Sequence, residues 1–281
     1  MGSGYLRGGA IVKKKTSKDE LYHKLLEIEE WEDKPLDEKI EVAHKTIDEL
    51  YKHSKRNYVA FSGGKNSLVA LYLTLQHDPD VTAIYANIGV QYPETRLYVM
   101  EIKEKWKVNL IETKPKMTFW QVVEKYGLPN RTRLKSGKPM CCLLLKEEPV
   151  YEVIKKKYLT GQITGLSAFE SRTRKMLIAR HGLVYYSWKF GRRNLKWRFW
   201  TAHPLAYWTD ADIFEFIEKE KLPINPAYEK YELTRTGCVP CTAHLLWEEQ
   251  VAKVNPKLYE FLQKLRGQKL IDKFIVDNKN E

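Results

Sequence analysis

The sequence has no apolar run of the ~18 to 20 residues that a membrane-spanning helix needs. Residues 1–15 lack the apolar core of a signal peptide. There is no internal repeat, and no stretch is rich enough in proline or glycine to mark a linker between two domains. These absences exclude a membrane protein and a repeat protein, and they predict a soluble, cytoplasmic chain.

What remains is an ordinary globular composition, with 43% hydrophobic and 30% charged residues in a chain of 281. That length is enough for one large domain with a sizeable core. Lys and Arg number 48 against 36 Asp and Glu, which gives a formal net charge of +12. The excess predicts polyanionic partners such as nucleotides, nucleic acid or phosphorylated substrates. The alternative is a Lys- and Glu-rich surface of the kind found in thermophile proteins.

Strands and helices alternate along the middle of the chain. The apolar run Tyr58–Phe61 predicts a first strand, and further strands are predicted at residues 81–87, 108–112 and 162–166. Helices are predicted at residues 68–75, 93–107, 117–126 and 147–157. This alternation predicts an α/β fold with three layers around a parallel, twisted sheet, in which ligands bind at the carboxyl ends of the strands.

Other patterns flank this core. Apolar spacing predicts two helices between residues 17 and 54, separated by Pro35 and forming an N-terminal extension. Residues 184–200 predict a β-hairpin, and Thr209 starts a capping box at the head of a helix. A loop-rich segment at 221–245 and a last helix at 255–270 follow.

The sequence Ser-Gly-Gly-Lys-Asn-Ser at residues 62–67 lies between the first predicted strand and the first helix after it. In that position, backbone N–H groups and the start of a helix can surround a phosphate. The glycines let the backbone approach closely, the serines add hydroxyl donors, and Lys65 adds a positive charge. This is not the Walker sequence, because no Gly-Lys-Ser/Thr follows a four-residue spacer. The alternative is a tight turn that binds no ligand.

Four segments resemble one protein family. Residues 60–73, AFSGGKNSLVALYL, resemble the PP-loop of ATP pyrophosphatases, and in particular that of the phosphoadenosine-phosphosulfate (PAPS) reductase family. NIGVQYPET at 87–95, TGLSAFESRTR at 164–174 and HPLAYWTDADIFEFI at 203–217 are similar to three further motifs of the family. The resemblance extends over residues 57–245 and implies a Rossmann-like PP-loop fold with a cysteine-bearing loop region near its end. We therefore expect a helical extension at 1–55, a nucleotide-binding domain at 56–245 and a helical tail at 246–281.

The resemblance also implies an adenine nucleotide, either ATP or a sulfonucleotide, namely adenosine 5′-phosphosulfate (APS) or PAPS. The residues expected to bind it are Ala60, Phe61, Ser62, Gly63, Gly64, Lys65, Ser67, Asn87, Gly89, Glu94, Thr95 and Gly165. The catalytic candidates are Lys65, Asn66, Arg172 and Arg174.

Two positions depart from the family pattern. The ATP-cleaving members usually carry Asp where this chain has Asn66, and that Asp contacts a metal–pyrophosphate group. Asn keeps its hydrogen bonding but loses a hard ligand for Mg²⁺, so the use of Mg²⁺ stays open. The family's substrate-loop arginine is Ser167 here, and Arg172 and Arg174 remain as candidate clamps for phosphate or sulfate.

The four cysteines form two pairs, Cys141-Cys142 and Cys238-Cys241. In an intracellular chain such pairs favour metal or cluster ligation over disulfides. They resemble the ligand set of the 4Fe–4S cluster in the adenylyl-sulfate-type reductases, so we expect the four thiols to converge. Zinc bound by four thiolates is the alternative, and redox cysteines are another. Lys146 follows the first pair closely, where its charge could face the cluster or a bound anion.

The family's thioredoxin-dependent reductases carry a nucleophilic cysteine near the C-terminus, and this sequence has none after Cys241. If the chain is complete, that thiol mechanism is excluded. The leading hypothesis is then an ATP pyrophosphatase that adenylates an acceptor for sulfur insertion, with a cysteine desulfurase or another sulfur donor as partner. The alternatives are an APS or PAPS reductase that takes its thiol or electrons from another protein, and a catalytically inactive nucleotide-binding protein. A homodimer also stays open.

A nucleic acid is the candidate acceptor because the predicted hairpin alternates aromatic and basic residues. Phosphate contacts and base stacking use such side chains. The candidate contacts are Lys189, Arg192, Arg193, Lys196 and Arg198, with Trp188 and Trp197 between them. The alternative is that half of these residues face the core.

Overall fold

A computed structural model describes residues 17–130, 137–190, 196–244 and 246–277. Two helices open it, α1 (Lys18–Glu30) and α2 (Leu36–His53), as the apolar spacing predicts. Ser17 caps α1 by accepting a 3.0 Å hydrogen bond from the Glu20 N–H. Pro35 immediately precedes α2, and it separates the two helices as expected. None of the helices in these ranges combines the length and apolar character needed to cross a membrane.

The centre is a six-stranded sheet in the order β3-β2-β1-β4-β6-β5. Its strands are β1 (Asn57–Ala60), β2 (Thr82–Ala86), β3 (Asn109–Thr113), β4 (Gly161–Ile163), β5 (Val184–Phe190) and β6 (Lys196–Ala202). The neighbours from β3 to β6 pair in parallel, and β5 pairs antiparallel with β6 at one edge. The predicted α/β fold with a mostly parallel sheet is therefore confirmed.

Helices cover the sheet and follow its strands. They are α3 (Lys65–His77), α4 (Pro93–Lys105), α5 (Phe119–Tyr126), α6 (Glu148–Lys157), α7 (Arg172–His181), α8 (Asp210–Lys219), α9 (Ala227–Lys230), α10 (Trp247–Val254) and α11 (Pro256–Asp277). The helix predicted from residue 68 begins three residues earlier, so Lys65 lies in its first turn. The predicted strand at 162–166 ends at Ile163. Sequence patterns missed α7, the short α9 within the predicted loop-rich segment, and the π-helical turn Cys142–Glu147 that leads into α6.

The predicted hairpin is present, and its register shows which way it points. Trp200 lies opposite Gly161, the first residue of β4, while Ala202 lies opposite Ile163, the last. Residues 196–199 therefore extend past the amino-terminal end of β4. The basic part of the hairpin projects from the edge of the sheet opposite the carboxyl ends of the strands.

The N-terminal helices are attached to the core by a buried ion pair. The Lys39 ammonium on α2 lies 2.7 Å from the Asp212 carboxylate on α8, and the two side chains are 1% and 12% exposed. Lys39 also donates to the Glu32 carbonyl oxygen at 3.0 Å. Asp212 completes the predicted capping box by accepting from the Thr209 N–H at 2.6 Å. One carboxylate thus caps α8 and anchors α2.

Replacing Lys39 by Met should lower the free energy of unfolding by about 3–5 kcal/mol, because Asp212 would stay buried without its cation. The matched control is Lys219→Met, which breaks the exposed pair with Asp37 and should change stability by less than about 1 kcal/mol. Urea denaturation followed by circular dichroism measures both values. Equal losses in the two variants would contradict a special role for the buried pair.

Candidate functional site

The segment Ser62–Ser67, called here the phosphate loop, connects β1 to α3. The Ser67 hydroxyl accepts from the Ser62 N–H at 3.1 Å and donates to the Gly64 carbonyl oxygen at 2.9 Å. Gly64 is the residue before the first turn of α3, and it has no side chain to cap the helix. The loop therefore holds a tight turn at the positive end of the α3 dipole, which is a favourable place for an anion.

Two glycines are required by close packing around this loop. Gly63 has a φ of +77°, and a Cβ added there would lie 2.8 Å from a Val99 methyl and 2.9 Å from a Thr95 methyl on α4. Gly165 follows β4 and packs on the loop, where an added Cβ would lie 2.8 Å from the Ser67 nitrogen and collide with the Asn66 carbonyl. A larger residue at either position would push the loop away from its neighbours.

A segment distant in sequence covers the loop, and sequence analysis missed it. The Asn225 amide, which is buried, donates to the Gly63 carbonyl oxygen at 2.9 Å and to the Thr95 hydroxyl at 3.0 Å. The Tyr228 hydroxyl accepts from the Lys65 N–H at 3.1 Å. Tyr228 therefore sits on a first-turn amide of α3, where an oxygen of a bound anion could take its place.

The side chain of Lys65 does not point its charge toward the place expected for a phosphate. Its ammonium lies 3.1 Å from an Asp210 carboxylate oxygen and donates to the Thr234 carbonyl oxygen at 3.2 Å. The side chain is only 4% exposed. In this conformation the lysine is neutralised by the start of α8, and a role toward a phosphate requires it to leave Asp210.

Asn66 carries an unused hydrogen-bond donor. Its side-chain nitrogen is buried and has no partner among the described groups. A buried donor without a partner costs about 1–3 kcal/mol, so such atoms in folded proteins call for an explanation. An acceptor on a bound ligand would satisfy this amide.

The segment after β2 supplies the next set of predicted residues. Asn87 donates to Glu112 at 2.6 Å and accepts from the Gly89 N–H at 3.0 Å. Glu94 accepts from the Lys230 ammonium at 2.5 Å and from the Tyr231 hydroxyl at 3.1 Å. Burial acts to raise the pKa of Glu94, but these hydrogen bonds outweigh it and lower the pKa. Its second oxygen is buried without a described partner.

The substrate-loop motif separates into structural and exposed residues. The Ser167 hydroxyl is buried and donates to the Trp208 carbonyl oxygen at 2.5 Å, so it fixes the turn before α7. Arg172, the first residue of α7, is exposed. Arg174 forms an ion pair with Glu170, and burial followed by the charge of Arg235 lowers its pKa. Two guanidinium groups thus repel each other near this site.

The two cysteine pairs come together at the same edge of the sheet as the phosphate loop. Cys238 forms an isolated antiparallel bridge with Gln91, in the segment that follows β2. Cys141 and Cys142 are hydrogen-bonded to each other, which raises the pKa of Cys141 and lowers that of Cys142. Burial, followed by the charges of Cys241 and Cys142, raises the pKa of Cys238 to about 12.

The chemistry of this donor set fits a metal–sulfur group. All four thiols are free, and Cys141 and Cys238 contact one apolar cluster that includes Ile88 and Trp247. Lys146 and Arg235 lie close enough to act electrostatically on Cys238. In the present side-chain orientations, however, no three His, Cys, Asp or Glu residues of the described ranges are spaced to hold a metal ion. The segments that carry the two cysteine pairs therefore lie close together, as expected, but the thiols are not arranged as ligands of one metal ion.

The predicted nucleic-acid contacts on the hairpin lie away from this site. Lys189, Lys196 and Arg198 belong to β5 and β6 in the part that projects from the amino-terminal edge of the sheet. Arg192 and Arg193 lie outside the described residues.

Comparison with known families agrees with these features. Residues 56–244 match the model of the phosphoadenosine phosphosulfate reductase domain. The chain belongs to this family. The predicted resemblance is therefore confirmed, and the matched domain includes the phosphate loop and all four cysteines.

Three curated proteins are similar to this chain in sequence. Uncharacterized proteins MJ0066 and MJ0973 of Methanocaldococcus jannaschii are 29% and 28% identical over 206 and 266 residues, or 72% and 92% of this chain. The chain spans 39% and 61% of the length of these two relatives. An adenosine 5′-phosphosulfate reductase of Staphylococcus haemolyticus is 26% identical over 183 residues, covering 65% of this chain and 68% of that enzyme.

Solved structures support the same fold. A PAPS reductase from Candida auris, in a phosphate complex, has a TM-score of 0.51 at 15% identity and covers 80% of this chain and 97% of that one. An FMN adenylyltransferase from Candida glabrata, bound to FAD and pyrophosphate, has a TM-score of 0.52 at 13% identity, with coverages of 84% and 80%. At these identities the likeness establishes the fold. The relatives with a named activity are enzymes.

Replacing Gly63 by Ala should lower the free energy of unfolding by about 2–4 kcal/mol, because the new methyl adds both a strained φ and a collision with α4. The control is Gly182→Ala, which has a similar φ of +76° but no described atom within 4 Å of the added Cβ. That change should cost about 1 kcal/mol. Urea unfolding distinguishes the two, and equal costs would contradict the packing argument.

Proposed function

We propose that this chain is an adenine-nucleotide enzyme of sulfur chemistry whose substrate is a sulfonucleotide, APS or PAPS. The observation that best supports this proposal is that the phosphate loop offers hydrogen-bond donors and no carboxylate. The loop combines the positive end of α3, the hydroxyls of Ser62 and Ser67, and the unpartnered Asn66 amide. Donors of this kind suit the oxygens of a phosphate or a sulfate.

The choice of nucleotide depends on how each would be neutralised. ATP is normally bound with Mg²⁺, which proteins hold through one or two carboxylates together with the substrate phosphates. The loop has Asn66 where a carboxylate would be needed. A sulfonucleotide carries a shorter anionic group that amide and hydroxyl donors can bind without a divalent ion. The relatives named adenosine 5′-phosphosulfate reductases favour the same choice.

The four cysteines are proposed to hold a 4Fe–4S cluster beside this nucleotide. Cys141, Cys142, Cys238 and Cys241 would be its ligands, with zinc as the alternative metal. When bound, the cluster would supply a concentrated charge and redox capacity next to the segment after β2. The bridge between Cys238 and Gln91 supports this placement, because the segment after β2 leads directly into Glu94 and Thr95.

The chain's own residues would bind and orient the substrate. The loop and the first turn of α3 would hold the phosphate, and Asn225 would keep Gly63 in position. Lys146 and Arg235 provide positive charge near Cys238, and Arg174 lies close to Arg235, so a sulfate could be held by these side chains. Cleaving the sulfur–oxygen bond to give sulfite and AMP, or sulfite and adenosine 3′,5′-bisphosphate from PAPS, requires two electrons. A dithiol in a separate segment or protein would supply them and become a disulfide.

A second candidate is adenylation of an acceptor by ATP, followed by sulfur insertion. The observation that favours it is the formal net charge of +12, which suits a nucleic-acid acceptor. Its requirements are Mg²⁺ and a pyrophosphate leaving group. The two candidates therefore differ in the nucleotide bound and in the product released.

The direct test compares APS, PAPS and ATP with Mg²⁺. APS or PAPS should raise the melting temperature more than ATP, since a ligand that binds more tightly stabilises the folded state more at equal concentration. With dithiothreitol as electron donor, sulfite should form from the preferred sulfonucleotide. Release of pyrophosphate from ATP, without sulfite from either sulfonucleotide, would replace this function by the second candidate.

Exchanging Asn66 for Asp gives a sharper prediction. The new carboxylate would repel the anionic substrate, so binding of the sulfonucleotide should weaken by about tenfold, or ~1.4 kcal/mol. Asn109→Asp makes the same change at an exposed position at the start of β3, and it should leave binding within about twofold. Isothermal titration calorimetry measures both. If Asn66→Asp instead binds ATP with Mg²⁺ more tightly than the parent protein does, the loop is a metal–pyrophosphate site.

Metal content tests the cysteine proposal separately. Protein purified without oxygen should be brown and contain four iron and four sulfide per chain. Cys142→Ser and Cys238→Ser should each lose most of that iron, whereas Met140→Leu, next to the first pair, should retain it. Colourless protein with stoichiometric zinc would overturn the cluster in favour of the zinc alternative.

A further inference from the structure

Three separate chain segments meet at the amino-terminal edge of the sheet, opposite the phosphate loop. The Thr160 N–H donates to the Arg56 carbonyl oxygen at 2.8 Å, and the Thr160 hydroxyl lies 2.8 Å from that of Ser54. The Trp200 N–H donates to the Thr160 carbonyl oxygen at 2.9 Å. The end of α2, the end of α6 and the hairpin are therefore joined here by direct hydrogen bonds.

These segments carry five cations that define what we call the basic edge: Lys55, Arg56, Lys155, Lys156 and Lys157. Lys55, Arg56, Lys156 and Lys157 are exposed, and Lys155 is half-buried. None of the five forms an ion pair within the described ranges. The acids on the adjoining helices do not neutralise them, because Glu49 already binds Lys52 and His53. Glu152, one turn before Lys156, is a single opposing charge.

The hairpin adds to the same edge. Arg198 lies opposite Trp188, and Lys189 opposite Trp197, at positions past the amino-terminal end of β4. Lys196 ends the described part of the hairpin at its far end. The backbone register therefore places three more basic residues on the projecting part of this edge.

Exposed aromatic rings accompany these cations. Tyr158 is 63% exposed, and the Arg56 guanidinium lies 5.7 Å from its ring centroid. Tyr186 is 38% exposed, and its ring contacts that of Trp200. The His53 ring stacks on the same Trp200 ring, with 4.0 Å between the ring centroids. A large aromatic side chain that is more than half exposed in a strongly basic surface offers a platform for a nucleobase.

We propose that the basic edge binds a single-stranded nucleic acid, with phosphates on the lysines and bases on the exposed rings. The exposed aromatic rings beside these cations favour this partner over an anionic membrane or an acidic protein, since both of those would use the charge but not the rings. The proposal does not depend on the nucleotide reaction, because the surface lies at the opposite edge of the sheet.

The test is fluorescence anisotropy with a labelled 20-nucleotide RNA of mixed sequence, titrated at 50 to 200 mM KCl. The variant K155Q/K156Q/K157Q should bind at least about tenfold more weakly at 0.1 M salt. Its slope of log affinity against log salt should fall by about 2, since each phosphate contact contributes about 0.7 for a single strand. K55Q/R56Q leaves α6 unchanged and should also weaken RNA binding. Weaker binding in both variants would show that the effect does not come from a folding defect in α6.

The matched control is K34Q/K45Q/K219Q, which removes three charges from exposed ion pairs elsewhere. It should stay within about twofold of the parent protein. If the control loses as much RNA affinity as K155Q/K156Q/K157Q, the binding depends on net charge alone, and the proposal is overturned. Binding to phosphatidylserine vesicles with no binding to RNA would also overturn it. The APS-induced melting shift should be unchanged in K155Q/K156Q/K157Q, so failure here is distinguishable from failure of the sulfonucleotide proposal.

Discussion

The hydrogen bonds of Asn225 are the contacts on which the arrangement of the site depends. One amide group holds the Gly63 carbonyl and the Thr95 hydroxyl, and so joins the phosphate loop, α4 and the later chain at one point. The chain continues from there through Tyr228, which reaches the Lys65 amide, to Cys238, which pairs with the segment after β2. Because Asn225 is buried, water cannot easily replace it. The same contact therefore positions the phosphate loop, and the chain that follows it carries the second cysteine pair to the segment after β2.

Much of the fold could be predicted because its signals are local. Thr209 and Asp212 indicate the start of α8 within four residues, and the alternation of apolar runs gives the order of strands and helices. The phosphate loop is equally local, since Gly63 needs its positive φ whatever surrounds it. Helix α7 was missed because its apolar positions are few, and the sequence around Arg172 was interpreted as a substrate loop.

The contacts that complete the site are not local, and for that reason the sequence did not predict them. Nothing near Lys65 indicates that Asp210, 145 positions later, will neutralise it. Nothing near Gly63 indicates that Asn225 will hold its carbonyl oxygen. The direction of the hairpin was not predictable for the same reason. Alternating residues predict two paired strands, but not the edge of the sheet from which those strands project. That depends on the register between Trp200 and Gly161.

The two edges of the sheet now have distinct chemistry, and this limits how they could act together. Arg198 lies four positions before Ala202, which is opposite the last residue of β4. At ~3.3 Å per residue, the backbone at Arg198 therefore lies about 13 Å from the carboxyl edge. A nucleic acid held along the basic edge would have to bend around the sheet to reach the phosphate loop of the same chain. The simpler arrangement is that the bound strand is not the acceptor of that chain's own nucleotide. A positively charged chain in this family therefore does not by itself imply a nucleic-acid substrate, and charge and catalysis can be separate properties of the two edges.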